Sequence, residues 1–275
     1  MNSTPTGQVV AITGGARGIG YATARRLTEL GAKVAIGDVD EIALKESAAT
    51  LGLSCAPPVD VTSPESFAAF LDEVQRSLGP IDVVINNAGI MPIGPLLAES
   101  DELARRIFDI NVLGVITGTK LALERMLPRR SGHIINIASL AGEVCVPGIA
   151  TYCASKHAVL GFTDATRIEH QHSGVSLSSI LPWFTNTELV AGTAGIRGIG
   201  NVETEDIAEA IVQTICKPAP RVRVSKLRGA LVQSQRFVPW RVAERAMRAL
   251  GAEKVFLAAV DQETRLTYEQ RARGQ

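Results

Sequence analysis

Tyr152 and Lys156 stand four residues apart in the stretch TYCASKHAVLGF, whose apolar residues recur with helical spacing. Side chains at positions i and i+4 of a helix share one face, so the phenol and the ammonium would point the same way. A positive charge beside a phenol favours the phenolate and lowers the pKa of the tyrosine. The pair therefore predicts a general acid/base, against the alternative that two unrelated side chains share a helix face.

Ser139 ends the apolar stretch IINIAS, thirteen residues before Tyr152. A residue at the carboxyl end of a strand lies at the edge where open α/β sheets bind their ligands. We therefore expect its hydroxyl to hydrogen-bond the oxygen of an alcohol or a carbonyl substrate.

The stretch TGGARGIG places Gly14, Gly18 and Gly20 between a β-branched run and a helix-patterned one. Glycines let backbone N–H groups approach a phosphate, and a helix N-terminus adds unpaired donors and partial positive charge, although such turns also serve as simple helix caps. Asp38 ends the next strand, 18 residues after Gly20. A carboxylate there accepts hydrogen bonds from both hydroxyls of an adenosine ribose and repels a 2′-phosphate. Together the turn and the acid predict NAD in preference to NADP.

Strand-like and helix-like segments alternate along the chain, which predicts an α/β fold with a doubly wound parallel, Rossmann-like sheet. The stretch LSCAPPVDV is expected to contain a short strand ending near Asp60, and one helix is expected around residues 101–127. A single dinucleotide-binding and catalytic domain is predicted over residues 1–220. Residues 221–275 are predicted to form a helical C-terminal extension.

Composition narrows the function further. The chain has 275 residues, of which 46% are apolar, and its formal net charge is zero, so a nucleic-acid partner is not expected. Its four cysteines show no paired spacing and its four histidines form no cluster, so neither a disulfide framework nor a metal site is predicted. The polar N-terminus is unlike a signal peptide, and no apolar run approaches the roughly 18 residues of a spanning helix, so a cytoplasmic protein is expected.

These motifs, with NNAG (86–89) and Asn111 in DINVLG, resemble the short-chain dehydrogenase/reductase family in its compact single-domain form, from about residue 8 to about 215. The resemblance implies a sheet of about seven strands and a homodimer or homotetramer. It also implies that Tyr152 is the general acid/base, that Lys156 is its pKa partner and holds the nicotinamide ribose, that Ser139 orients the substrate oxygen and that Asn111 holds a relay water. The implied cofactor-binding residues are Gly14, Arg17, Gly18, Ile19, Gly20, Asp38, Asp60, Val61, Asn87, Ala88, Gly89, Tyr152, Lys156, Pro182 and Thr187.

The chain departs from the family pattern in the segment LPWFTNTEL, where Trp183 replaces a small residue. The indole either walls the substrate pocket or turns outward into packing. Residues 188–201 are rich in glycine and suit a mobile lid over the substrate, with a disordered loop as the alternative. An apolar pocket, which favours a hydrophobic substrate, is expected from Ile90, Met91, Val144, Cys145, Val146, Ile149 and Trp183.

Residues 221–248 contain eight basic residues and one acid, Glu244, a net charge of +7, with interleaved apolar side chains. Such a segment suits the surface of an anionic membrane. The alternative is that its apolar face packs on the domain or on a second subunit. Pro239 predicts two short helices here and not one long helix.

The sequence thus predicts an oxidoreductase that transfers a hydride between NAD(H) and a small, hydrophobic alcohol or ketone. Two alternatives stay open: an NADPH-linked ketoreductase, with Arg17 receiving the 2′-phosphate, and a dinucleotide-binding sensor without turnover.

Overall fold

The structure is a computed structural model, and it describes residues 4–193, 200–224, 245, 255–257 and 260–274. Its centre is a parallel sheet of six strands: β1 (Val9–Thr13), β2 (Lys33–Gly37), β3 (Val83–Asn86), β4 (Gly132–Ile137), β5 (Val175–Leu181) and β6 (Arg221–Arg223). The strands lie in the order β2-β1-β3-β4-β5-β6. Because the chain leaves β1 in one direction and returns on its other side at β3, the sheet has a switch point between these strands, where such folds bind ligands.

The helices cover both faces of the sheet. They are α1 (Gly18–Glu29), α2 (Glu41–Leu51), α3 (Pro64–Leu78), α4 (Asp101–Phe108), α5 (Gly114–Met126), α6 (Ala150–Glu169), α7 (Thr204–Cys216) and α8 (Gln262–Arg273). Strand residues such as Val10 and Ile12 face one apolar core, and Ala11 and Val84 face the other. Since both faces are covered, the strands read as continuous apolar runs. Among the described residues, no helix combines the length and the apolar character needed to cross a membrane.

Local sequence signals explain where α3 begins and where α1 ends. Ser63 accepts a hydrogen bond from the Ser66 amide at 3.1 Å, and Pro64 occupies the first turn of α3. At the other end of a helix, Gly31 follows α1 with a φ of 79°, a left-handed conformation that glycine adopts without strain.

The strand predicted in LSCAPPVDV is wrong. Cys55 makes only an isolated bridge to Ala35. Pro57 and Pro58 follow, and because proline has no N–H to donate, the ladder cannot continue along this segment.

The helix predicted around 101–127 is interrupted. A π-helical turn, Asp109–Leu113, separates α4 from α5 and contains Asn111. Such wider turns occur often at functional sites, because they re-aim a side chain within an otherwise regular helix.

The sequence predicts the start of a helical extension at residue 221, whereas Arg221–Arg223 form the edge strand β6. Val222 packs against the core. Arg221 and Arg223 both pair with the buried carboxylate of Glu143, and Arg221 also pairs with Asp164. Most of the basic segment, including Pro239 and Glu244, lies outside the described residues, as do residues 194–199 of the predicted lid.

Candidate active site

One cavity of about 390 Å³ runs along the carboxyl edge of the sheet. Every site residue predicted from the sequence lines it except Gly20, which packs against Gly14, and Asn111, which hydrogen-bonds Ile90. At one end are the glycine turn and Asp38, and at the other are Ser139, Tyr152 and Lys156. The order of the parallel strands brings these distant stretches together, because each stretch follows the end of a strand.

The glycine turn is too closely packed for side chains. A Cβ on Gly20 would lie 2.2 Å from the Gly14 carbonyl oxygen, and one on Gly14 would lie 2.8 Å from the Ala88 Cα. The side-chain amide of Asn87 donates to the backbone carbonyl oxygens of Thr13 and Gly14, both at 2.9 Å, and these bonds connect the end of β3 to the turn. Among the residues that the structure describes, no side chain caps the first turn of α1, which leaves its N–H groups for a ligand.

Asp38 projects into the cavity from the end of β2. One carboxylate oxygen accepts the Ala16 amide at 3.2 Å, and the other accepts the Asp40 amide at 3.1 Å. These contacts fix the carboxylate. A carboxylate oxygen has more than one lone pair, so both oxygens can still accept from a ligand.

Arg17 lies beside Asp38 but is already paired. Its guanidinium donates to Asp40 at 2.7 Å and lies 3.9 Å from the Glu188 carboxylate. The hydrogen bond from Arg17 lowers the pKa of Asp40, which keeps this partner ionised. Asp60, which follows on the same wall, accepts from both the amide and the hydroxyl of Thr62.

Asn111 is fully buried in the π-helical turn and holds the backbone of Ile90. Its side-chain oxygen accepts the Ile90 amide and its nitrogen donates to the Ile90 carbonyl, both at 2.9 Å. The nitrogen also donates to the Ser155 hydroxyl at 3.2 Å. Asn111 therefore shapes the loop after β3, on which Gly89 lies.

Tyr152 and Lys156 lie on one face of α6, both buried. The ammonium nitrogen lies 5.7 Å from the centre of the phenol ring. Burial raises the pKa of Tyr152 to about 12, while a hydrogen bond from Ser139 opposes this rise. Burial lowers the pKa of Lys156 to about 8. The predicted lowering of the Tyr152 pKa is therefore wrong, because loss of water around the buried phenol raises it.

Ser139 lies two residues beyond β4 and begins the turn Leu140–Gly142, where its hydroxyl accepts the Ala141 amide at 3.0 Å. The Leu140 amide in turn donates to the Pro182 carbonyl at 3.0 Å, which ties the loops after β4 and β5 together. Thr187 lies over the glycine turn, since a Cβ on Gly18 would be 3.3 Å from its methyl group.

The walls near Tyr152 are apolar, as predicted, and include Val146, Ile149 and Trp183. Cys145 is a correction: it is exposed and does not line the cavity. Trp183 both lines the cavity and packs inward, with its ring centre 5.1 Å from that of Phe184 in an edge-on arrangement. The indole therefore walls the cavity, as the first alternative has it, and does not turn outward.

Sequence reasoning missed two groups of residues, one that supports the cavity wall and one that lines it. The Thr13 hydroxyl accepts hydrogen bonds from the backbone amides of Asn87 and Ala88. The sequence signal that could have indicated this residue is its position as a polar residue at the end of an apolar strand. Tyr268, Arg271 and Ala272 of α8 line the cavity. No sequence signal pointed to them, since α8 lies beyond the region of resemblance.

Comparison with known proteins decides the family. The model of the short chain dehydrogenase family matches residues 8–214. The chain belongs to the short chain dehydrogenase family. It is therefore an oxidoreductase by family, built on the Rossmann-like fold described above.

Individual relatives extend this result. A mouse protein named estradiol 17-beta-dehydrogenase 11 is 31% identical over 242 residues, which cover 86% of this chain and 81% of the relative. A probable oxidoreductase of Mycobacterium tuberculosis, EphD, is 31% identical over 255 residues, but the match covers 84% of this chain and only 43% of that protein. A short chain dehydrogenase/reductase from Burkholderia phymatum, crystallised in complex with NAD, aligns with a TM-score of 0.78 at 26% identity and covers 86% of this chain and 95% of its own.

Proposed function

We propose that this chain transfers a hydride between NAD(H) and an apolar alcohol or ketone, with Tyr152 as general acid/base. The observation that carries the proposal is that one cavity joins both groups: Asp38 and the glycine turn line one end, and Ser139, Tyr152 and Lys156 line the other. A dinucleotide extended between these ends would bring its nicotinamide to the tyrosine. When bound, the nicotinamide supplies or accepts the hydride.

The residues present fit a dinucleotide. The uncapped first turn of α1 offers N–H groups to a pyrophosphate, and the side-chain-free turn at Gly14 and Gly18 lets it approach. Asp38 would accept from the ribose hydroxyls, with Asp60 and Val61 beside the adenine. Ile19, Asn87, Ala88, Gly89, Pro182 and Thr187 would complete the walls.

NAD is favoured over NADP by charge. A 2′-phosphate would lie against the Asp38 carboxylate, which repels it. Arg17 would have to leave Asp40, with which it pairs at 2.7 Å, to bind that phosphate. This pair therefore also disfavours the NADPH-linked alternative.

Tyr152 would donate or accept the proton in this reaction. With a pKa of about 12 the phenol is protonated at neutral pH, so it is ready to donate a proton to a carbonyl oxygen during reduction. Oxidation is the reverse: the phenol must first lose its own proton to solvent, and the phenolate oxygen, which a protonated Lys156 would stabilise, then takes the proton of the alcohol. Ser139 would hydrogen-bond the reacting oxygen. Asn111 would hold the loop at Ile90 and, through its main chain, a relay water.

The substrate is proposed to be apolar because the walls around Tyr152 are aliphatic and aromatic. A relative whose name specifies estradiol supports a compact, ring-containing alcohol as a first candidate. The alternative of a non-catalytic sensor is disfavoured, because a sensor needs no serine, tyrosine and lysine gathered at one end of the cavity.

The chain is also proposed to form a homodimer or homotetramer, as members of the family generally do. Phe108, Leu113 and Ile168 are exposed apolar side chains on α4, the π turn and α6, and a second subunit could cover them. Light scattering on the purified chain gives the mass directly, and a monomer at micromolar concentration would contradict this proposal.

The function is tested by following NADH absorbance with a panel of alcohols and ketones that includes estradiol, short linear alcohols and a sugar alcohol. We expect turnover with apolar ring compounds, weaker turnover with linear alcohols and none with the sugar alcohol. Absence of turnover with every member, in both directions and with both NAD and NADP, would contradict the proposed activity.

A further inference from the structure

The helix α8 is fixed against the apolar end of the cavity by a buried arginine. Arg265 is only 1% exposed. Its guanidinium donates to the carbonyl oxygens of Leu189 and Met91, each at 2.7 Å, and to that of Ala191 at 3.2 Å. It also pairs with Glu269 one turn along the helix, at 2.7 Å. The arginine therefore joins α8 to the loop after β3 and to the segment after β5, and it leaves α8 little freedom to move.

Tyr268 lies one turn from Arg265 and is held as firmly. Its ring centre lies 4.9 Å from the guanidinium carbon of Arg265. Its phenolic oxygen accepts the Met91 amide at 2.7 Å. Like Tyr152, it is 7% exposed, and both tyrosines line the same cavity. Burial raises the pKa of Tyr268 well above its ordinary value, so the hydroxyl keeps its proton at every physiological pH.

The hydroxyl of Tyr268 has unused capacity to donate. A phenol accepts and donates, and here its oxygen already accepts from Met91. Among the described residues, the bond accepted from Met91 is the one hydrogen bond found for this hydroxyl, and it donates none. A buried donor without a partner is costly, so a ligand that offers an acceptor at this place is favoured over one that does not.

From this geometry we infer that Tyr268 is a specificity-determining residue, which donates a hydrogen bond to a second oxygen on an apolar, two-oxygen substrate. The inference rests on the proposed function, because Ser139 and Tyr152 are assigned there to the reacting oxygen. Val146, Ile149 and Phe184 on the nearby walls offer no side-chain donor, and the indole N–H of Trp183 is a second buried donor that has no partner among the described residues. A substrate with one further carbonyl or hydroxyl would be oriented by its hydrogen bond from Tyr268, and Tyr268→Phe separates this contribution from that of the indole.

If Tyr268 had only a structural role, accepting the hydrogen bond from the Met91 amide, a different result would be expected. Loss of the hydroxyl would then weaken the binding of every ligand to the same extent. A role in recognition affects only ligands that carry the second oxygen, because only they make the additional hydrogen bond.

The test compares matched ketones by calorimetric titration in the presence of saturating NAD, which cannot reduce them. The pairs are 2-decalone with decalin-2,6-dione, and androstan-17-one with androstane-3,17-dione. In at least one pair, we expect the wild type to bind the dione about five- to tenfold more tightly than the monoketone, which is the gain from one neutral hydrogen bond. Tyr268→Phe should reduce this ratio of dione affinity to monoketone affinity to about one. The matched control, Tyr21→Phe, removes a phenol on α1 outside the cavity and should keep the wild-type ratio.

Equal affinity of the wild type for both members of every pair, or no binding of any, would overturn the inference. So would an unchanged ratio in Tyr268→Phe. If this variant does not fold, the wild-type ratios alone decide. Turnover plays no part in these titrations, so failure of the proposed reaction is seen separately in the NADH assay.

Discussion

Lys156 donates from its ammonium nitrogen to the backbone carbonyl of Ile137, the last residue of β4, at 2.9 Å. This contact fixes α6 against the strand end two residues before Ser139. The distance between helix and strand, and with it the position of Tyr152 relative to Ser139, therefore depends on a hydrogen bond made by one of the proposed catalytic residues. A lysine here has both a structural and an electrostatic role.

The close packing of the glycine turn gives a direct prediction. Gly20→Ala would place a Cβ 2.2 Å from the Gly14 carbonyl oxygen, so the turn must open and NADH binding should weaken at least tenfold in a calorimetric titration. The matched control is Gly161→Ala on α6, where nothing lies within 4 Å of the added methyl group. This control should keep NADH affinity and stabilise the fold by about 0.5–1 kcal/mol. Unchanged NADH affinity in Gly20→Ala would contradict the assignment of the turn.

Cofactor choice gives a second prediction. The wild type should bind NADH at least tenfold more tightly than NADPH, because the Asp38 carboxylate accepts from the ribose hydroxyls and repels a 2′-phosphate. Asp38→Ala should narrow this ratio, whereas Asp101→Ala, on an exposed side chain at the start of α4, should not. Titration of each protein with both nucleotides measures the ratio. Equal affinities in the wild type would show that Asp38 does not select the cofactor.

His133 gives a prediction about stability and pH. Burial lowers the pKa of this histidine from 6.5 to about 4, and its Nε2 lies 2.8 Å from the Ser178 hydroxyl. Between pH 6.5 and 4 the unfolded chain binds a proton that the native protein does not. The free energy of unfolding should therefore fall as the pH falls through this range, by up to about 3 kcal/mol from this residue.

The contribution of His133 is isolated by urea unfolding at pH 5 and pH 7. His133→Gln should show a smaller loss of stability between these pH values than the wild type, and the exposed control His172→Gln should show the same loss as the wild type. If His133→Gln loses as much stability on acidification as the wild type, the buried imidazole is not the group that titrates.

Much of the site could be predicted from the sequence because its residues follow strand ends. Asp38 comes directly after β2 and Ser139 shortly after β4, and a parallel sheet brings such ends to one edge. The i, i+4 spacing of Tyr152 and Lys156 then fixed their common face. These relationships are local, so periodicity and turn residues are sufficient to reveal them.

The contribution of α8 could not be predicted, because it depends on contacts between distant parts of the chain. Arg265 donates to Met91 across 174 residues of sequence. Its neighbours in QETRLTYEQRAR are mostly polar, which suggests a solvated helix and not one that lines a cavity. The direction of the Tyr152 pKa shift could not be predicted for a related reason, because the sequence shows the neighbouring charge but not the degree of burial.

The most direct test of the proposed function is the turnover of Tyr152→Phe with the best substrate of the NADH assay. Phenylalanine keeps the ring that packs in the cavity but has no proton to donate. We expect kcat to fall by a factor of about 10²–10⁴, the usual contribution of a positioned acid, with NADH affinity nearly unchanged and with full activity in the control Tyr21→Phe. If Tyr152→Phe kept more than about a tenth of the wild-type rate, that contribution would be missing and Tyr152 would not be the general acid/base.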